Sequence, residues 1–178
     1  ELESSYRVIV STIYDVDSIA EFNAALEIIL NAENADQIIL YGLSMGGLLA
    51  QTYTREHPQK VKALILSHAC TPRSKVYRRN VILPLTIARF IMPFTPNWFI
   101  KFASRQAGAL QGENKIASEY KVKLSPKDKR YYKVVMADYF KRFFNKRLIK
   151  TWINIHLDFS KQNLKPKEFS YLKKKVLI

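Results

Sequence analysis

The chain has 178 residues, 48% of them hydrophobic and 25% charged, enough for about one domain with a genuine core. Its single cysteine, Cys70, excludes an internal disulfide framework and any cysteine-rich zinc site. The formal charge of +14 divides unevenly: residues 1–70 carry four basic and nine acidic side chains, residues 71–178 carry 25 and six.

In chain order, Tyr6–Val10 is β-branched and predicts a short strand. Asp15-Val16-Asp17-Ser18 predicts a turn, and Ser18 with Glu21 three residues on has the spacing of a capping box. Apolar residues at Ile19, Phe22, Leu26, Ile29 and Leu30 recur at helical spacing, until the polar break Asn31–Asp36. Ile38–Tyr41 predicts a buried strand. Leu48–Tyr53 predicts a helix that closes at Glu56-His57-Pro58, and Val61–Ser67 a further buried strand. Helix-linked strands in this order imply a parallel sheet with right-handed crossovers.

From Thr71 onward the pattern becomes helical without sheet. Arg73–Asn80 reads as a basic connector, and Val81–Met92 and Asn97–Ala107 as short apolar helices. Val81 to Phe102 is interrupted by Pro84, Pro93 and Pro96 and carries Arg89 and Lys101, so it is not a candidate for a span of ~20 unbroken apolar residues. Gln106–Asn114 reads as a loop. Ser125-Pro126-Lys127-Asp128 opens a pattern in which Tyr132, Met136, Tyr139, Phe143, Leu148, Trp152, Ile155 and Phe159 recur at mostly three- or four-residue steps. Lys173–Ile178 reads as the sheet restarting. The composition therefore divides the chain at 1–72, 73–170 and 171–178.

Between the Ile38 strand and the Leu48 helix lies Gly42-Leu43-Ser44-Met45-Gly46. Strand, tight turn and helix are the context in which Gly-x-Ser-x-Gly presents a nucleophilic serine. Ser44 is expected in a strained backbone conformation, with Gly42 and Gly46 kept small so that strand and helix approach closely. Its hydroxyl would stand at a helix N-terminus, where free amides and the helix dipole favour developing negative charge. The amide of Met45 would be one oxyanion donor.

Tyr-Arg-Val-Ile-Val, Gly-Leu-Ser-Met-Gly-Gly, Leu-Ala-Gln, the His-Pro pair and Val-Lys-Ala-Leu-Ile-Leu together resemble consecutive pieces of the α/β-hydrolase superfamily, over about residues 5–70. The resemblance implies an α/β fold: a partial three-layer α/β/α core on a parallel sheet, with residues 73–170 in the place of a helical cap. It implies a serine hydrolase acting on an ester, amide or related carbonyl bond, with Ser44 as nucleophile. The family's triad acid and histidine would follow Ile178, and its second oxyanion donor would precede Tyr6. The chain is thus expected to be an internal piece of a larger hydrolase and inactive alone.

Of the three histidines, His57 reads as a helix terminus and His156 as a structural or pocket-lining residue. His68 ends a strand on the carboxyl edge of the sheet, where ligands gather, and is expected to line the site. Ile91, Phe94, Trp98 and Phe99 are expected to shape an apolar pocket for a lipophilic carbonyl substrate. No metal spacing and no cofactor motif is present. The basic residues after 71 read first as solvated helix faces. Their alternatives are weak attraction to an anionic membrane surface through an amphipathic Trp/Phe segment, and nucleic acid, which no recognition motif supports. With no leader at its start, a cytoplasmic location is expected. A non-catalytic member of the same fold, binding a protein or a membrane, is the competing reading.

Overall fold

The computed structural model describes residues 5–11, 16–103, 125–128, 130–131, 134–135, 145–172 and 176–177. Helix α1 (Ile19–Ala32) opens as its sequence predicts, with the Ser18 hydroxyl accepting from the Glu21 amide. The reciprocal bond falls one residue early: the Asp17 amide donates to the Glu21 carboxylate at 2.7 Å. Strand β1 (Ile38–Leu43), helix α2 (Met45–Glu56) and strand β2 (Val61–Ser67) follow. β1 and β2 pair in parallel from Ile38↔Val61 to Leu43↔Ser67, with one irregularity between Ile38 and Ile39. A two-residue strand β3 (Val176–Leu177) adds in parallel beside Leu64 and Ile65, giving the order β1-β2-β3. The restart of the sheet lies where the sequence puts it.

Tyr6–Val10 differs. The segment is irregular rather than a strand, and Val10 is exposed. A strand needs a ladder partner as well as β-branched residues, and no strand pairs with it among the described residues.

One core cluster joins Leu26 and Leu30 of α1 to Ala50 and Tyr53 of α2, Val61 and Leu64 of β2, and Leu172. These helices cover the sheet face that carries Leu40 and Leu64, while Ile39, Tyr41 and Leu43 on alternate positions of β1 are exposed. The described residues thus supply the sheet and the helical layer on one side of it. A second cluster holds Val16, Ile19, Leu48, Leu49, Tyr77, Ile155 and Phe159.

The second cluster explains where the chain divides. Its two compact units are Glu1–Ile87 with Thr151–Ile178, and Ala88–Lys150. The division differs from the compositional one at 72/73 and 170/171 because Tyr77, Ile155 and Phe159, all in the basic region, are buried with Leu48 and Leu49 of α2. Helix α5 (Lys146–Lys161) carries Ile155 and Phe159; α3 and α4 precede it, as follows.

The expected basic connector is itself largely helical. Ser74 caps α3 (Lys75–Tyr77), a widened π turn spans Arg78–Ile82, and α4 runs over Leu83–Ile91. Pro84 has no N–H for the carbonyl one α-turn back, and a widened turn directly before it relieves the clash that a regular helix would suffer. A 3-10 turn at Met92–Phe94 and a helical stretch at 97–103 continue the path. The expected loop at Gln106–Asn114, and Tyr132, Met136, Tyr139 and Phe143, lie outside the described residues.

Candidate functional site

β1 runs without a loop into α2, and the residue at the junction is Ser44. Its amide still belongs to the sheet, donating to the Ser67 carbonyl at 2.9 Å, while its carbonyl accepts from Gly47 at 2.9 Å as the helix begins. To serve both, Ser44 adopts φ 50°, ψ −116°, a conformation that costs a non-glycine residue about 1–3 kcal/mol. Ser18, Ser44 and Ser74 each precede a helix among the described residues. Ser18 and Ser74 use their hydroxyls as caps, but Ser44 does not. Its side chain is exposed, and among the described residues Oγ has no hydrogen-bond partner. The strain turns the hydroxyl away from the helix that would otherwise bind it.

The close approach at this corner has a different owner from the one expected. A Cβ on Gly42 would lie 2.6 Å from the Gly46 carbonyl oxygen and 2.6 Å from Gly47 Cα, so Gly42 must be a glycine. A Cβ on Gly46 would meet nothing within 4 Å. The second steric requirement falls on Gly47, where a Cβ would lie 2.5 Å from Cβ of Ala69, on the chain leaving β2. Gln51, one turn further along α2, fixes that chain by donating to the carbonyls of Gly47 (3.0 Å) and Cys70 (3.1 Å). The Gly46-Gly47 doublet was the available signal for this contact, and Gln51 gave none.

Met45 opens α2, where the first amides have no acceptor within the helix. Its side chain packs against the cluster of Leu48, Leu49, Tyr77 and Ile155, which fixes the first turn from below. An exposed hydroxyl thus stands beside the first-turn amides of a 12-residue helix, on the carboxyl edge of the sheet.

His68 lies at that same edge. It directly follows Ser67, whose carbonyl holds the Ser44 amide, and it is exposed with φ 53° and Nδ1 3.0 Å from Ser67 Oγ. His57 caps the opposite end of α2, about 20 Å from Ser44 at ~1.5 Å per residue. There it stacks on Tyr53 and faces Glu27 at 3.7 Å. Glu27 also takes the Lys60 ammonium (2.6 Å) and the Tyr53 hydroxyl. Burial raises the Glu27 pKa, but these bonds outweigh it and hold the carboxyl below its usual range.

His156 is buried on α5, with Nδ1 2.8 Å from the Tyr77 hydroxyl and its ring edge-on to Trp152 at 4.8 Å. Burial depresses its pKa to about 4, and among the described residues Nε2 has no hydrogen-bond partner. Burial likewise raises the Tyr77 hydroxyl and the Cys70 thiol that packs on the same cluster. The sequence did not pair Tyr77 with His156. Asp17 accepts from the Asn154 amide at 3.0 Å, in keeping with a structural role, and Asp15 lies outside the described residues.

Ile91, Phe94, Trp98 and Phe99 belong to the second unit, and all four are exposed. None of them lines the open cavity of about 350 Å³ found there, which is bounded by Asn97, Ile100, Lys101, Asn145, Lys146 and Arg147. Among the described residues no group of His, Cys, Asp or Glu is arranged to hold a metal ion. No helix among them is long and apolar enough to cross a membrane.

A family model described as alpha/beta hydrolase fold matches residues 5–178. A solved structure of a hydrolase from Pseudomonas aeruginosa is similar at TM-score 0.56 and 11% identity, over 93% of this chain and 63% of that one. Two others are similar at lower scores. One, described as a probable hydrolytic enzyme from the same organism, has TM-score 0.48 and 14% identity over 86% of this chain and 45% of its own. The other comes from work on carboxylesterases of the thaumarchaeon Nitrososphaera gargenis, with TM-score 0.45 and 18% identity over 91% of this chain and 54% of its own. The chain therefore spans only about half the length of these structures, and at such identities the likeness speaks for the fold alone. A comparison with curated proteins returns no match.

Proposed function

Because the chain belongs to the alpha/beta hydrolase fold family, we propose that it carries the nucleophile of a serine hydrolase acting on an ester, amide or related carbonyl substrate. The observation that supports this reading most is Ser44 itself: a serine at a helix start, held at φ 50°, whose hydroxyl is exposed and caps nothing.

In this reading Ser44 Oγ attacks the substrate carbonyl while its proton passes to a histidine other than His57, His68 and His156. The tetrahedral oxyanion is met by the Met45 amide, a donor whose loss costs ~100–1,000-fold in such enzymes. Collapse of the intermediate expels the alcohol or amine, which takes the proton from the imidazolium, and leaves an acyl ester on Ser44. Water, deprotonated by the same imidazole, then releases the acid and restores the hydroxyl. His68, at the same sheet edge, lines the cleft and is not the base.

The test is Ser44→Ala in the polypeptide expressed with its natural flanking sequence, assayed on short p-nitrophenyl esters. Loss of about 10⁴-fold or more in turnover is expected, and undiminished activity overturns the assignment. The 178 residues alone are expected to give no turnover above that of the variant. The competing reading, a non-catalytic binding protein, draws on the absence of any partner to Ser44 Oγ among the described residues. It predicts that the flanked polypeptide is inert before and after the substitution.

A further inference from the structure

The second unit exposes side chains that a water-soluble surface normally hides. Within this unit α4 contributes Phe90 and Ile91, both exposed. The helical stretch 97–103 buries Ile100 and turns Trp98 and Phe102 outward at i, i+4. Within residues 90–102, six large apolar side chains (Phe90, Ile91, Phe94, Trp98, Phe99 and Phe102) are between 47 and 87% exposed. Six exposed large apolar side chains within thirteen residues mark an interaction site rather than ordinary scatter.

The sequence that carries these side chains holds charge of one sign. Residues 57–112 contain no aspartate or glutamate at all. Arg89 and Lys101 are exposed on the same two helical stretches as the aromatic residues. Lys101 also bounds the cavity of about 350 Å³, whose other polar walls are Asn97, Asn145, Lys146 and Arg147. Lys146 is anchored there by donation to the Pro93 carbonyl at 3.1 Å. Among the described residues no acidic side chain lines this cavity.

We propose that this face of the second unit docks on an anionic phospholipid bilayer, Phe90, Phe94, Trp98 and Phe102 entering the acyl boundary while the cavity of Lys101, Lys146 and Arg147 receives a lipid phosphate. Three features favour lipid over the other polyanion, nucleic acid. The exposed set includes aliphatic Ile91, which offers bases nothing to stack on. The exposed set combines a tryptophan and phenylalanines with basic residues, the composition of interfacial helices. Arg89 and Lys101 are exposed on the same helical stretches and residues 57–112 hold no acidic side chain, which suits an anionic surface.

The test uses the full chain with Trp152→Phe, leaving Trp98 as its single tryptophan. It is titrated with phosphatidylcholine vesicles and with vesicles enriched in phosphatidylserine. Binding is expected to be about tenfold or more tighter to the anionic vesicles, with Trp98 emission shifting to the blue and quenched by brominated acyl chains. Phe94→Ser with Trp98→Ser, read by sedimentation, should abolish vesicle association, while Lys101→Gln with Lys146→Gln should abolish the preference for anionic lipid. Unfolding midpoints of both pairs, measured without lipid, should match the parent, so that lost binding is not lost folding. Several results would overturn the proposal. They are equal binding to both vesicles, Trp98 emission untouched by brominated lipid, or concentration-dependent self-association that the serine pair removes. Oligonucleotide binding that survives the serine pair, without vesicle binding, would assign the cations to nucleic acid instead.

Discussion

The three glycines at the β1–α2 junction make unequal demands, and alanine at each separates them. A Cβ at Gly42 meets only backbone, the Gly46 oxygen and Gly47 Cα at 2.6 Å and the Gly47 nitrogen at 2.7 Å. None of these atoms can rotate away, so strand and helix must part, at the upper end of the ~1–3 kcal/mol typical of overpacking. At Gly47 the Cβ meets the Ala69 methyl at 2.5 Å and the Gly42 oxygen at 3.1 Å. The methyl has no rotamer to escape into, but alanine recovers up to ~1 kcal/mol of helix propensity, leaving a net loss of about 1–2 kcal/mol. At Gly46 the new methyl finds open space within 4 Å at a helical position with ordinary φ, so alanine should be neutral or stabilise by up to ~1 kcal/mol. Urea unfolding reads the series directly, since a loss of 2 kcal/mol moves the midpoint by roughly 1 M at typical slopes. The expected order of stability is Gly46→Ala at or above the parent, then Gly47→Ala, then Gly42→Ala. Gly46→Ala as damaging as Gly42→Ala, or Gly47→Ala indistinguishable from the parent, would refute the steric assignment.

Acid stability depends on His156. Its pKa falls from 6.5 to about 4 on burial, so the unfolded chain takes the proton first; its contribution is complete above pH 6.5 and is lost as pH falls toward 4, by about 3 kcal/mol in all. His156→Leu should start less stable at pH 7, because the Tyr77 hydroxyl loses Nδ1, yet show a flatter profile in urea unfolding from pH 7 to 4; parallel profiles would contradict this. Ser18→Ala should cost about 1 kcal/mol by removing the α1 cap, whereas Ser44→Ala should cost nothing comparable because its hydroxyl caps nothing. Equal losses in thermal unfolding would place the Ser44 hydroxyl in a structural bond.

Much of this was legible because the governing contacts are local. Val61–Ser67 is the strand the apolar run predicts, the Ser18 hydroxyl caps α1 as its spacing predicts, and the strand–turn–helix at Ser44 follows from a nine-residue window. The differences are non-local. Tyr6–Val10 has strand residues but no ladder partner among the described residues. Which of two adjacent glycines meets the neighbouring chain depends on where Ala69 passes after β2, and no helical period encodes that. Tyr77 and His156 are 79 positions apart, and their pairing ties α3 to the part of α5 from Thr151 onward within the first unit. Ile91, Phe94, Trp98 and Phe99 were legible as apolar residues, but apolarity does not say whether a side chain faces a pocket or solvent, and here all four are exposed.

The most direct measurement is the site of covalent modification by a fluorophosphonate probe in the flanked polypeptide, mapped by peptide mass spectrometry. The account predicts a single adduct on Ser44, formed in step with loss of ester hydrolysis and absent from Ser44→Ala. An adduct on another serine, or hydrolysis persisting with Ser44 unmodified, would contradict it.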